Sequence, residues 1–131
     1  MIRVGGATGY GGEADLALPQ KLAEGDLDFI VFDYLAEITM SIMARAKAAD
    51  PEKGYAIDFV SAIVAPHLQA IADSGVKLIS NAGGVNPEAC GRAIRQLIEE
   101  AGLPLKVAVI TGDDLMPKLD EVLAAEPAEM F

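Results

Sequence analysis

Val76-Lys77-Leu78-Ile79-Ser80-Asn81-Ala82-Gly83-Gly84-Val85-Asn86-Pro87-Glu88-Ala89-Cys90 holds, in one run, a strand, a glycine-hinged loop and the start of a helix. Val76 to Ile79 has the apolar, β-branched character of a buried strand, while Asn86-Pro87 offers an N-cap side chain followed by the residue best suited to the first helical position. The rest of the chain repeats this plan on both sides.

Upstream, Ile2 to Val4 is a short strand candidate, and the glycine-rich run Gly5-Gly6-Ala7-Thr8-Gly9-Tyr10-Gly11-Gly12 follows as a loop that a ligand can approach closely. Glu13 to Glu24 reads as a modest helix carrying Leu16, Leu18 and Leu22, with Pro19 either in its first turn or breaking it. Phe29 to Phe32 is a second buried strand ending in Asp33-Tyr34. Leu35, Ile38, Ile42 and Ala46 recur at helical spacing, and Asp50 to Tyr55 breaks that helix. Val60, Val64, Leu68 and Ile71 mark another helix, with a kink or boundary at Pro66 and a stop at Gly75.

Downstream of the opening stretch, Pro87 to about Ala101 is helical, with Ala93, Ile94, Leu97 and Ile98 inward and Gly102 as the stop. Leu105 to Ile110 reads as a fourth strand, and Thr111-Gly112-Asp113-Asp114 leads into a helix bearing Leu115, Leu119, Val122 and Leu123. Strand and helix alternation of this kind implies a Rossmann-like α/β fold, a mainly parallel sheet of about four strands with helices on both faces, in a single domain spanning 1–131. Ligands bind such sheets beyond the carboxyl ends of the strands. The expected site therefore gathers Gly5 to Gly12, Asp33 to Glu37, Asn81 to Asn86 and Thr111 to Asp114.

Within those loops several readings compete. Gly6, Gly9 and Gly12 fit a G-x-x-G-x-x-G spacing with Asp33 at the end of the next strand, as in dinucleotide binding. The interrupting Pro19 and the lack of a Tyr-x-x-x-Lys pair count against a dehydrogenase. Asp33, Glu37, Asp113 and Asp114 offer carboxylates for Mg²⁺ or for proton transfer, or simply a helix cap and a solvated first turn. Tyr10 and Tyr34 can donate to a ligand carbonyl or sit half-buried with the hydroxyl in water. Asn81 and Asn86 flank Gly83-Gly84 and suit an anionic or carbonyl ligand, the plainer alternative being an N-cap beside a tight turn. Cys90 reads as a core residue rather than a reactive thiol, and His67 as a surface helix residue.

Composition narrows the classes. A 131-residue chain can bury one continuous core, and 52% hydrophobic with 5% aromatic residues points to packed helix and sheet layers of Ala, Val, Ile and Leu. The formal charge of -10 argues against nucleic acid and anionic membrane surfaces as partners. A single cysteine, no signal-peptide run and no apolar stretch near about 18 residues fit a cytoplasmic setting. So much apolar surface in a short chain also suggests that another subunit or a missing domain covers part of it.

Gly5-Gly6-Ala7-Thr8-Gly9-Tyr10, Asp33-Tyr34-Leu35-Ala36-Glu37, Asn81-Ala82-Gly83-Gly84-Val85-Asn86-Pro87 and Gly112-Asp113-Asp114, taken in order, resemble the acyclic terpene utilisation protein A family over nearly the whole chain. Members of that family are usually several times longer, so the resemblance implies an N-terminal segment of a longer architecture. It further implies bacterial breakdown of acyclic terpenes such as citronellol and geraniol, alongside acyl-CoA carboxylation and hydration, with no reaction and no cofactor assigned.

The combined expectation is an enzyme of hydratase or lyase type acting on a carboxylated or CoA-linked small molecule. Glu37 or Asp113 would move a proton, Asn81 and Asn86 would orient the carbonyl or carboxylate, and Gly6, Thr8, Gly9, Tyr10, Asp33, Tyr34, Gly83 and Gly84 would line the ligand. A non-catalytic subunit that assembles with a partner, as a homo-oligomer or with a missing domain, is the alternative. A nucleotide-binding oxidoreductase is the third.

Overall fold

A computed structural model describes residues 1–8 and 14–125. Three parallel strands, β1 (Val4–Thr8), β2 (Phe29–Asp33) and β3 (Lys77–Ser80), lie in the order β1-β2-β3. Helix α1 (Ala14–Glu24) joins the first two strands, and α2 (Glu37–Ala49), an irregular helical segment and α3 (Leu68–Ser74) join the second to the third. After β3 come α4 (Pro87–Ala101) and a short α5 (Leu119–Ala124).

The sheet has three strands and not about four. Leu105 to Ile110 keeps a strand's alternation, with Leu105, Val107 and Val109 half-buried and the residues between them exposed, yet it joins no ladder. Its carbonyl at Val107 faces the Arg95 guanidinium on α4 at 3.5 Å, and Val109 packs on Gly91. The segment is thus held by the helix and not by β3.

The first strand is also displaced from expectation, since it runs through Gly5 and Gly6 to Thr8 and does not end at Val4. Packing explains this: a Cβ on Gly5 would stand 2.6 Å from Leu27 Cδ1, so the glycine admits a neighbouring leucine to the strand. Asp28 clamps the strand start, its carboxylate accepting from Arg3 N–H at 2.8 Å while its own N–H donates to Arg3 O at 3.0 Å.

Pro19 lies inside α1, neither in its first turn nor at a break, and the helix is anchored by Leu18, which is fully buried. Pro66 has a larger effect. In place of one regular helix the chain forms a π-helical turn over Phe59–Val64, a 3-10 turn over Ala65–His67, and only then α3. Proline cannot donate a backbone bond, and here the helix widens before it and tightens around it. His67 Nδ1 donates to Ile63 O at 2.8 Å, so its ring serves the helix.

Gly5 and Ala7, Ile30 and Phe32, Leu78 and Ser80 share one face of the sheet by register. Ile30 and Phe32 are buried on that face, where α1 packs against the π turn and α3, and α4 packs against the π turn. Phe32 meets Phe59 edge-on at 5.5 Å and Tyr34 meets the same ring at 5.4 Å, giving the core an aromatic centre.

The opposite face was expected to carry helices, but among the described residues Val4, Val31 and Ile79 lie exposed there, and Lys77 Nζ rests over the Phe29 ring at 5.1 Å. Topology gives the reason. Right-handed crossovers that step in one direction, β1 to β2 to β3, deliver every connecting helix to the same side. No described helix is long and apolar enough to cross a membrane.

Candidate functional site

The carboxyl ends of the strands bring Asp33 and Asn81 together. Asn81 Nδ2 donates to Asp33 Oδ1 at 2.7 Å, and Asn81 Oδ1 accepts from Tyr34 N–H at 2.7 Å. The same Asp33 oxygen accepts from Leu35 N–H at 3.3 Å. The Asn81 amide, with Leu35 N–H assisting, holds the Asp33 carboxyl below the usual carboxylate range. Because its folded pKa is depressed, the added stability is present above the ordinary Asp value and disappears as pH falls through the folded value. Asp33 is therefore an exposed anion at neutral pH, with Oδ2 unengaged by any described residue.

Gly83 and Gly84 make the turn after Asn81. Gly84 N–H donates to Asn81 O at 3.0 Å, Asn86 N–H to Gly83 O at 2.9 Å, and Val85 N–H to Gly54 O at 3.0 Å. Gly84 has φ +53, and a Cβ there would meet Met43 Sδ and stand 2.8 Å from Gly54 O. A Cβ on Gly83 would stand 2.8 Å from Pro87 Cα. Gly84→Ala should accordingly cost about 2–3 kcal/mol in urea unfolding, from left-handed strain plus the displaced methionine. A change within experimental error would mean that the turn is not formed as described.

Asn86 is buried at 9% exposure and fully engaged. Its Nδ2 donates to Pro51 O and Lys53 O, both at 2.7 Å, and its Oδ1 caps α4 by accepting from Ala89 N–H at 3.4 Å. It ties the site loop to the turn before the π segment. Glu37 occupies the first turn of α2 and is exposed. Asp113 is exposed in the segment after Ile110 and bonds to no described residue, while Asp114 Oδ1 accepts from Met116 N–H at 2.9 Å as a turn cap.

Gly6 lies mid-strand with open space where a Cβ would be, and Thr8 ends β1 opposite Asp33 in register. Gly9 and Tyr10 lie outside the described residues. Tyr34 is buried against Phe59 and reaches the site through its backbone N–H. Cys90 is buried, and burial pushes its thiol up to about 11, which keeps it neutral at ordinary pH. No described cluster of three or more His, Cys, Asp or Glu side chains is arranged to hold a metal ion.

Three supporting residues escaped the sequence reading. Lys47 Nζ donates to Val85 O at 2.6 Å, Met43 packs on Gly84, and Gly54, at φ +104, accepts Val85 N–H. Gly54 beside Tyr55 resembled any helix-breaking turn; only its pairing with a loop thirty residues away gives it a role.

Fold and edge together define a parallel α/β protein with a polar loop site at the carboxyl ends of its strands. The chain belongs to the acyclic terpene utilisation family AtuA, whose model matches residues 2–130. No curated protein and no solved structure matches it.

Proposed function

We propose that the chain serves in a cytoplasmic enzyme of acyclic terpene breakdown and binds a carboxylated or CoA-linked small molecule at the Asp33–Asn81 edge. Hydration or carbon–carbon lyase chemistry is the reaction type. The observation that carries the reading is the Asn81–Asp33 bond, which aligns an exposed carboxylate and an amide at the ends of two adjacent strands. Membership of a terpene utilisation family supplies the metabolic setting.

An ionised Asp33 suits a hydroxyl donor better than a carboxylate, so the ligand presents a hydroxyl there, from an oxygenated skeleton or a CoA ribose. The second Nδ2 proton of Asn81 suits the carbonyl. Glu37, in the first turn of the next helix, or Asp113 moves the proton. Thermal melting against acyl-CoA thioesters, free CoA and nicotinamide nucleotides tests this, since ligand at 100 times its Kd adds about 2.7 kcal/mol. The expected result is a shift with an acyl-CoA that Asp33→Asn abolishes; an unchanged shift in that variant overturns the site. A shift with nicotinamide nucleotides alone would favour the oxidoreductase reading.

The uncovered sheet face favours a second reading, a subunit that assembles with a partner through Val4, Val31 and Ile79. A monodisperse monomer in light scattering, unaltered by Val31→Lys, would remove it.

A further inference from the structure

Helix α2 is attached to the rest of the fold along one side. Met43, its one buried residue, packs on Gly84, and on the same side Lys47 Nζ donates to Val85 O at 2.6 Å. On the far side Glu37, Ser41 and Arg45 form one row at helical spacing, with Ile38, Ile42 and Ala49 along its flank, and all six are exposed.

The outward face of a surface helix ordinarily bears charge along its length. This one bears an acid near its start, a base two turns on, and between them isoleucines that are 73% and 57% exposed. Glu37 and Arg45 stand about 12 Å apart along the axis and cannot meet within the helix. Neither forms an ion pair with a described residue.

Such a face is complementary to itself when turned end for end. Around a two-fold axis at Ser41, Glu37 of each helix meets Arg45 of the other, the isoleucines flank the axis, and the small serine leaves room for close approach. A parallel pairing in register would set like charges together instead.

We propose that two copies of this chain pair through antiparallel α2 helices, with Ile38 and Ile42 at the centre and reciprocal Glu37 to Arg45 pairs at the rim. The pairing uses neither the Asp33–Asn81 edge nor the open sheet face. Each copy brings a guanidinium to the other's Glu37, in the first turn of the helix that follows the Asp33 edge. Glu37 is then engaged, and the proton transfer proposed above falls to Asp113. One helix face per copy is a small interface, so the dimer forms and dissociates over about 0.01–1 mM.

Sedimentation equilibrium of the full chain over that range tests the proposal, and the parent chain should show a monomer to dimer equilibrium. Ile42→Lys acts twice across the two-fold and should weaken the dimer about a hundredfold, whereas Val31→Lys should leave it unchanged. Arg45→Glu and Glu37→Arg should each weaken it about tenfold, because both rim pairs become repulsions. Mixed one to one, those two variants should form a heterodimer as tight as the parent dimer, since every rim pair is again opposite in sign.

A parent chain that stays monomeric to about 1 mM overturns the proposal, as does a dimer indifferent to Ile42→Lys or one that Val31→Lys abolishes. A mixture no tighter than its components overturns the antiparallel arrangement. The heterodimer is a gain of assembly that a misfolded variant cannot produce, and the concentration dependence of the parent stands without any variant.

Discussion

Asn86→Asp should destabilise the chain by about 3–5 kcal/mol at pH 7, and part of that loss should return on acidification. Aspartate caps a helix about as well as asparagine, so the Ala89 N–H keeps its acceptor and the cap itself is not lost. What changes is the other end of the amide. Nδ2 now donates to Pro51 O and Lys53 O at 2.7 Å each, and a carboxylate oxygen there would face two carbonyl oxygens in a site only 9% exposed. The new carboxyl would therefore have a raised folded pKa. A raised carboxyl pKa means that the folded state takes up a proton more readily than the unfolded state, so stability relative to the parent rises as pH falls. Urea unfolding of parent, Asn86→Asp and Asn86→Ala at pH 7 and at about pH 4.5 measures this. The alanine variant loses the cap and both donors without adding charge, and its deficit should be insensitive to pH. If the aspartate variant matched the parent at pH 7, the bonds to Pro51 and Lys53 would not be what holds the loop.

Elements whose cause is local were legible in the sequence. The Asn86-Pro87 start and Gly102 stop of α4 depend on neighbouring residues alone, and Gly102 does adopt a left-handed cap at φ +65. β2 and β3 were equally readable from their apolar runs. Elements that depend on distant partners were not. Gly5 and Gly6 have the composition of a loop, and it is the distant Leu27, which occupies the space beside Gly5, that suits them to a strand. Leu105 to Ile110 has a strand's pattern, but a strand also needs a free partner edge, and Arg95 and Gly91 hold the segment on α4 instead. The one-sided helix layer follows from strand order, which alternation along the chain does not specify.

The candidate site divides along the same line. Asp33 and Asn81 were both placed at strand ends by pattern, and their mutual bond spans 48 residues, a distance over which spacing carries no information. Asn86 was open between ligand contact and cap. Its Nδ2 bonds to two carbonyls and its Oδ1 bond from Ala89 N–H engage both polar atoms of its side chain, and Lys47 and Gly54 brace the adjoining Val85 backbone. Asp33 lacks such saturation: one of its oxygens remains unengaged by described residues at an exposed edge. That contrast separates the residue that shapes the loop from the one able to receive a ligand.

Phe32→Ala should cost about 3–5 kcal/mol, whereas Val31→Ala, one residue away, should cost less than about 1 kcal/mol. Phe32 is 1% exposed and packs edge-on against Phe59, which in turn holds Tyr34, so its removal opens a cavity at the centre of the aromatic cluster. A domain of ordinary stability retains about 5–15 kcal/mol, so this one change could consume half or more. Val31 is 37% exposed on the opposite face, where a lost pair of methyls is largely replaced by water. Urea unfolding of the two variants, with the slopes compared as well as the midpoints, reads the difference. The effect should extend to the edge, because Asp33 and Tyr34 follow Phe32 directly and the Asn81 amide bonds to both. Amide exchange at Tyr34 should therefore accelerate in Phe32→Ala and remain unchanged in Val31→Ala. If instead Val31→Ala proved as costly as Phe32→Ala, and the cost grew with protein concentration, Val31 would be buried in solution. The open face would then be an interface, and the assembling-subunit reading would gain the measurement that it needs.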